Sequence, residues 1–172
     1  MKKIVFTYGS ITGVIVAVIL IATVAACYNN PGVEGMWMGF TAMWLAFIFL
    51  FIGVKKYRDK FKNGIITFWE AFKIGVLIAL VASTIYVATW LIDYYVFIPD
   101  FLDKYLLHVV AEAQKDGKTL TEINEARAEA VKNAQMYKNP VMVVLLTYME
   151  IFPLGLLVAL ISALVLKRKA KT

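Results

Sequence analysis

The chain carries one cysteine and one histidine, Cys27 and His108. No intrachain disulfide framework can form from one cysteine, and the usual zinc ligand sets need at least two cysteines or two histidines. Serine is almost as scarce. Ser10, Ser83 and Ser162 all fall in the long apolar runs, whereas His108 lies in the segment 99–139 between the last two of them, so a Ser–His–acid triad is not expected. Charged residues make up 17% of the chain, against about 25% in ordinary soluble domains. Phosphate loops, dinucleotide fingerprints and metalloprotease helices are also missing from the sequence. These shortages argue against an enzyme and against a resident cofactor or metal.

What is present is apolar. Hydrophobic residues account for 61% of 172 positions, and the mean hydropathy is +0.72. A soluble domain of this size could not bury so much apolar surface, and a disordered chain would need far less of it. The composition therefore predicts an integral membrane protein. The net charge of +6 does not imply a nucleic-acid partner. The basic residues sit at the ends of apolar runs, where they meet lipid headgroups, and not in a stripe interleaved with aromatics.

Four apolar segments, about 4–27, 36–54, 67–97 and 140–166, are long enough for a span of about 20 helical residues. None shows the alternation of a barrel strand. The expected fold is all-α, a single polytopic domain over 1–172. It has four transmembrane helices and a helical extracytoplasmic insertion, 99–139, between the third and fourth. Direction follows from lysine and arginine. Eleven of the eighteen lie in 1–3, 55–64 and 167–172, none lies in 28–35, and those in 99–139 are offset by acids. The positive-inside rule places both termini in the cytoplasm. Tyr28, Trp37, Trp90, Tyr94 and Tyr95 form the outer aromatic belt, and Tyr57, Phe61, Phe68 and Trp69 the inner one.

In the outer segment, Phe101, Leu102, Tyr105, Leu106, Val109 and Val110 recur at helical spacing. Lys115-Asp116-Gly117-Lys118 turns the chain. Thr119 and Glu122 then have capping-box spacing for a helix over about 120–137, whose alanine-rich face is expected to be solvated. Asn139 and Pro140 open the last span. The tetrad Val24-Ala25-Ala26-Cys27 matches a lipobox. The preceding run is longer than a signal h-region of 7–15 residues, so the first segment is read as a retained span.

Small residues recur every four positions. Gly9 and Gly13 do so in the first span, Gly75 and Ala79 in the third, and Gly155 and Ala159 in the fourth. Such stripes let helix backbones approach closely, within the chain or between copies. Lys55, Lys56, Arg58, Lys60 and Lys62 are candidate headgroup contacts. Glu70 and Lys73 are expected to pair across one turn. His108 and Glu112 share a face and read as solvated. Glu150 is the one ionisable residue deep in an apolar run. A charge facing lipid at that depth costs at least about 2.5–3.5 kcal/mol. It is therefore expected to turn inward, with Ser83, Thr84 or Tyr86 as partner and Pro153 as a nearby kink.

Several stretches carry a family likeness. They are GVKKYRDKFKNG (53–64), ITFWEAFKIGVLIAL (66–80), IPDFLDKY (98–105) and EIFPLGLLVALISALVLKRK (150–169). Together they resemble the bacterial membrane proteins grouped as domain of unknown function 4199, although Trp69 and Glu70 stand where that pattern has glycine and lysine. The resemblance implies a four-span protein of the bacterial cytoplasmic (inner) membrane and supplies no activity. The expected role is structural or accessory, with membrane lipids, a second copy or another membrane protein as partner. The alternative is an oligomeric transporter or ion-conducting protein that uses Glu150.

Overall fold

The computed structural model describes residues 1–29 and 35–168, with side chains at 1–26 and 41–168. The Asn–Pro–Gly connection, the side chains of Cys27, Tyr28 and Trp37, and the last basic residues lie outside these. The described chain is α-helical, in the order α1 (Lys2–Asn29), α2 (Gly35–Ala46), α3 (Ile48–Phe61), α4 (Phe68–Ile92), a π-turn (Asp93–Phe97), α5 (Phe101–Lys115), α6 (Leu120–Tyr137) and α7 (Pro140–Leu166).

Three helical stretches, Lys2–Ala26, Phe68–Phe97 and Pro140–Leu166, are long and apolar enough to cross a membrane. Their outward faces are as apolar as their packed ones. Phe6, Val14 and Val18 of α1 and Val141, Met149 and Val165 of α7 are all well exposed. A helix apolar on every side belongs in lipid or in a core.

The second apolar segment, 36–54, is not one helix. Phe47 has ψ −5°, well off the α-helical value of about −42°. Leu50 N–H then bonds to Phe47 C=O at 3.0 Å, three residues back. At this turn the fully buried Phe47 ring reaches α7, close to where a Cβ on Gly155 would lie. Neither α2 (12 residues) nor α3 (14 residues) matches the span length of about 20 residues by itself.

α4 is central and packs against α7, α1 and α3. The close approaches give the register. Gly9 of α1 faces Val81 and Gly13 faces Ile85, so both helices advance in the same direction. Gly75 faces Ala159 and Gly155 faces Ala79, so α4 and α7 are antiparallel. Added Cβ atoms at these glycines would lie 2.6–2.7 Å from the facing side chains. Arg168 N–H bonds to Ile66 C=O at 2.9 Å and ties the end of α7 to the entry of α4.

Helix ends follow local chemistry. Thr67 caps α4, Asn139 caps α7 just before Pro140, and Thr119 with Glu122 forms a reciprocal capping box on α6. Between α5 and α6, Gly117 takes φ +70°, a left-handed conformation that glycine adopts without strain. The alanine face of α6 is not solvated. Ala130 and Ala134 are buried, because α5 and α7 pack against that helix.

Candidate functional site

The α4–α7 contact carries two side-chain links. Tyr86 O–H donates to Glu150 Oε1 at 3.2 Å, and the Thr84 and Tyr148 hydroxyls meet at 2.8 Å. Tyr86 is buried, whereas Glu150 is exposed at the surface of the chain. The expected inward turn of Glu150 is therefore met by its hydrogen bond but not by its burial. The reason lies in the helix wheel. Ile151, Gly155, Ala159 and Ser162 form the buried face of α7. Glu150 is offset from Ile151 by about 100° and reaches the flank of the helix pair, where the Tyr86 phenol meets it. Pro153 is also exposed, on the same outward face of an α7 that continues through it. Ser83 is not a partner of Glu150. It is fully buried, and its hydroxyl has no hydrogen-bond partner among the described residues.

Asp93, at the far end of α4, is 9% exposed, with Oδ2 unbonded among the described residues. Asp93 opens the π-turn, where Ile98 N–H reaches back five residues to Asp93 C=O at 2.9 Å. Trp90, Tyr94 and Phe101 pack beside it, with Trp90 edge-on to Phe101 at 5.1 Å.

The basic segment at the opposite end divides. Lys55, Lys56 and Lys60 are exposed, and Lys56 Nζ sits 5.7 Å from the Tyr8 ring centroid. Arg58 is buried at 8% exposure, because it continues the inward row Leu50–Val54. It donates to Asp59 at 2.7 Å and holds that carboxyl below its ordinary pKa. Arg58 thus departs from the expected headgroup set. Lys62 pairs with Glu70 at 2.6 Å, a hydrogen bond that raises the lysine pKa. Glu70 therefore reaches back across the turn before α4 to Lys62 and does not pair with Lys73, its expected partner. His108 Nε2 lies 4.0 Å from Glu112, and the described residues hold no metal-ligating cluster of three or more His, Cys, Asp or Glu.

A family model described as a protein of unknown function (DUF4199) matches residues 7–168. The chain belongs to the DUF4199 family. No curated protein and no solved structure matches it. In this DUF4199 chain the structure brings Glu150 and Tyr86 together and places Gly75 and Ala79 against Ala159 and Gly155. It leaves Ser83 and Pro153 apart from any shared site and removes Arg58 from the exposed basic set. The buried acid Asp93 and the Thr84–Tyr148 contact carry no sequence signature, since the first depends on the fold around the π-turn and the second on how α4 and α7 pair along their length.

Proposed function

We propose that the protein is a four-span integral membrane protein of the bacterial cytoplasmic membrane, with both termini cytoplasmic. In this reading it is a structural or partner-associating component without catalysis of its own. The observation that carries the topology is the parallel run of α1 and α4, set by Gly9 against Val81 and Gly13 against Ile85. Two parallel spans joined by one connection require that connection to return across the same thickness. Gly35–Phe61, helical on both sides of the single residue Phe47, supplies the return. Phe47, Leu50 and Val54 bury into the core shared with α4 and α7, which supports the same reading.

The partner-associating role is supported by the α5–α6 hairpin, which offers large apolar side chains away from the spans. Leu107 is 72% and Leu120 80% exposed. Crosslinking in membranes followed by mild detergent extraction should recover a stoichiometric membrane partner or a second copy bonded through this hairpin. A solitary monomer throughout would overturn the role.

The second reading, an oligomeric transporter, draws on one observation, the Tyr86–Glu150 hydrogen bond inside the apolar length of α4 and α7. Substrate-dependent flux in proteoliposomes that is lost in Glu150→Gln would favour it over the first.

A further inference from the structure

The α5–α6 hairpin does not close completely on α7. Between them lies a half-open cavity of about 380 Å³, walled by Phe101, Tyr105, Met136, Tyr137 and Leu146, with Asn133 contributing an amide. That volume falls in the range of small-molecule sites, roughly 300–1,000 Å³. The aromatic wall is braced. Phe101 and Tyr105 stack with centroids 6.3 Å apart, and Tyr137 is held edge-on against Tyr94 at 5.9 Å.

A carboxyl group stands one helical turn along α7 from this wall. Leu146 precedes Glu150 by four residues, so the two share one face of α7. Burial first, and then the Glu150 carboxylate, pushes the Tyr137 phenol above its ordinary pKa. None of the ion pairs formed among the described residues includes Glu150, and Tyr86 satisfies one oxygen only.

We propose that this cavity binds a lipophilic organic cation, with its apolar body among Phe101, Tyr105, Tyr137 and Leu146 and its charge directed to Glu150. The chemistry selects that class. Aromatic faces attract cations through their quadrupole. A small hydrated metal ion would gain little from an apolar wall, and a neutral apolar molecule would leave the carboxylate uncompensated. A half-open cavity needs no large movement for entry. The inference goes beyond the accessory role and does not depend on whether Gly35–Phe61 crosses the membrane.

The probe is radiolabelled tetraphenylphosphonium, added to the purified full-length chain in maltoside micelles and read by scintillation proximity. Binding should saturate. Glu150→Gln should weaken it more than about tenfold, the loss expected when one partner of a desolvated charge contact is removed. Leu146→Trp, which fills the cavity and leaves the carboxylate in place, should weaken it comparably, and Glu150→Asp should retain it. Neutral triphenylphosphine oxide should not compete. Unsaturable uptake, equal binding by wild type and both weakening variants, or equal displacement by the neutral compound would each overturn the proposal. Variants are compared only where size exclusion shows a monodisperse peak. If Glu150→Gln aggregates, Leu146→Trp and Tyr105→Leu decide the matter. Loss of the membrane partner with cation binding intact would count against the accessory role alone.

Discussion

Gly155 shows most directly how one residue type sets a distance. An added Cβ would lie 2.7 Å from the Ala79 Cβ and 3.1 Å from the Phe47 ring. Neither neighbour has a flexible far end to move aside. Gly155→Val should therefore destabilise the chain by about 1–3 kcal/mol, the usual range for overpacking, measured by SDS-induced unfolding in mixed micelles. No loss of stability would mean that α4 and α7 are not in this register. Tyr86→Phe is a milder change. It removes one interhelical hydrogen bond, which averages about 0.6 kcal/mol and reaches about 1.7 kcal/mol in membrane proteins. A double-mutant cycle with Glu150→Ala, which removes the acceptor, should return a coupling of that size, and additivity would show that the two side chains do not interact. Much at this scale was legible in the sequence. The four-residue spacing of glycine and alanine marked the faces that meet, and Glu150 stood out as an acid in an apolar run. Its exposure was less legible, because Tyr86 is long enough to reach the flank of the pair without Glu150 turning inward.

Among the elements, α6 rests on a titratable cap. The Glu122 carboxylate accepts from the Thr119 N–H at 2.8 Å and from its hydroxyl at 2.8 Å. These bonds hold its pKa below the ordinary glutamate value. A depressed folded-state pKa stabilises the helix above the unfolded value of about 4.3, and this contribution is lost as pH falls through the folded pKa. Glu122→Gln should therefore lower amide protection at the start of α6 at pH 7. The difference from wild type should vanish at pH low enough to protonate both forms of Glu122, with the two proteins compared at equal pH by hydrogen-exchange mass spectrometry. A difference that persisted under acid conditions would show that the cap does not titrate. The Thr119–Glu122 spacing announced this cap, and Asn139–Pro140 announced the next. The break at Phe47 had no such announcement. The sequence around it contains neither proline nor glycine, and the turn coincides with the buried ring's contact on α7. Tertiary packing overrides a local helical preference there. Arg58 was partly legible, since Leu50, Val54 and Arg58 fall four apart on one inward row, but its positive charge suggested the surface.

For the whole molecule, 55–64 and the α5–α6 hairpin lie at opposite ends of α4, so the proposed topology expects them on opposite sides of the bilayer. Lys60 and Asp116 are both exposed and suit single-cysteine reporters in a Cys27→Ala background. On intact spheroplasts an impermeant thiol reagent should label Asp116→Cys and spare Lys60→Cys. The reverse pattern would overturn the orientation, and equal labelling of both sites would overturn the four-span topology. The expected orientation rests on charge distribution alone, whereas the pairing of α1 with α4 and of α4 with α7 became legible only from the facing residues.

The contact between Gly75–Ala79 and Gly155–Ala159 joins parts of the chain separated by the entire outer hairpin. During synthesis α1 is available to α4 as soon as α4 enters the bilayer, but α7 is not. The small-residue groove of α4, with the Tyr86 phenol at its flank, must wait in lipid while about seventy further residues are made, for several seconds at roughly 5–20 residues per second. A nascent chain stopped after Asn139 would keep that groove open. Such a fragment is an expected substrate for membrane quality-control proteases, and α7 supplied as a separate segment should rescue it.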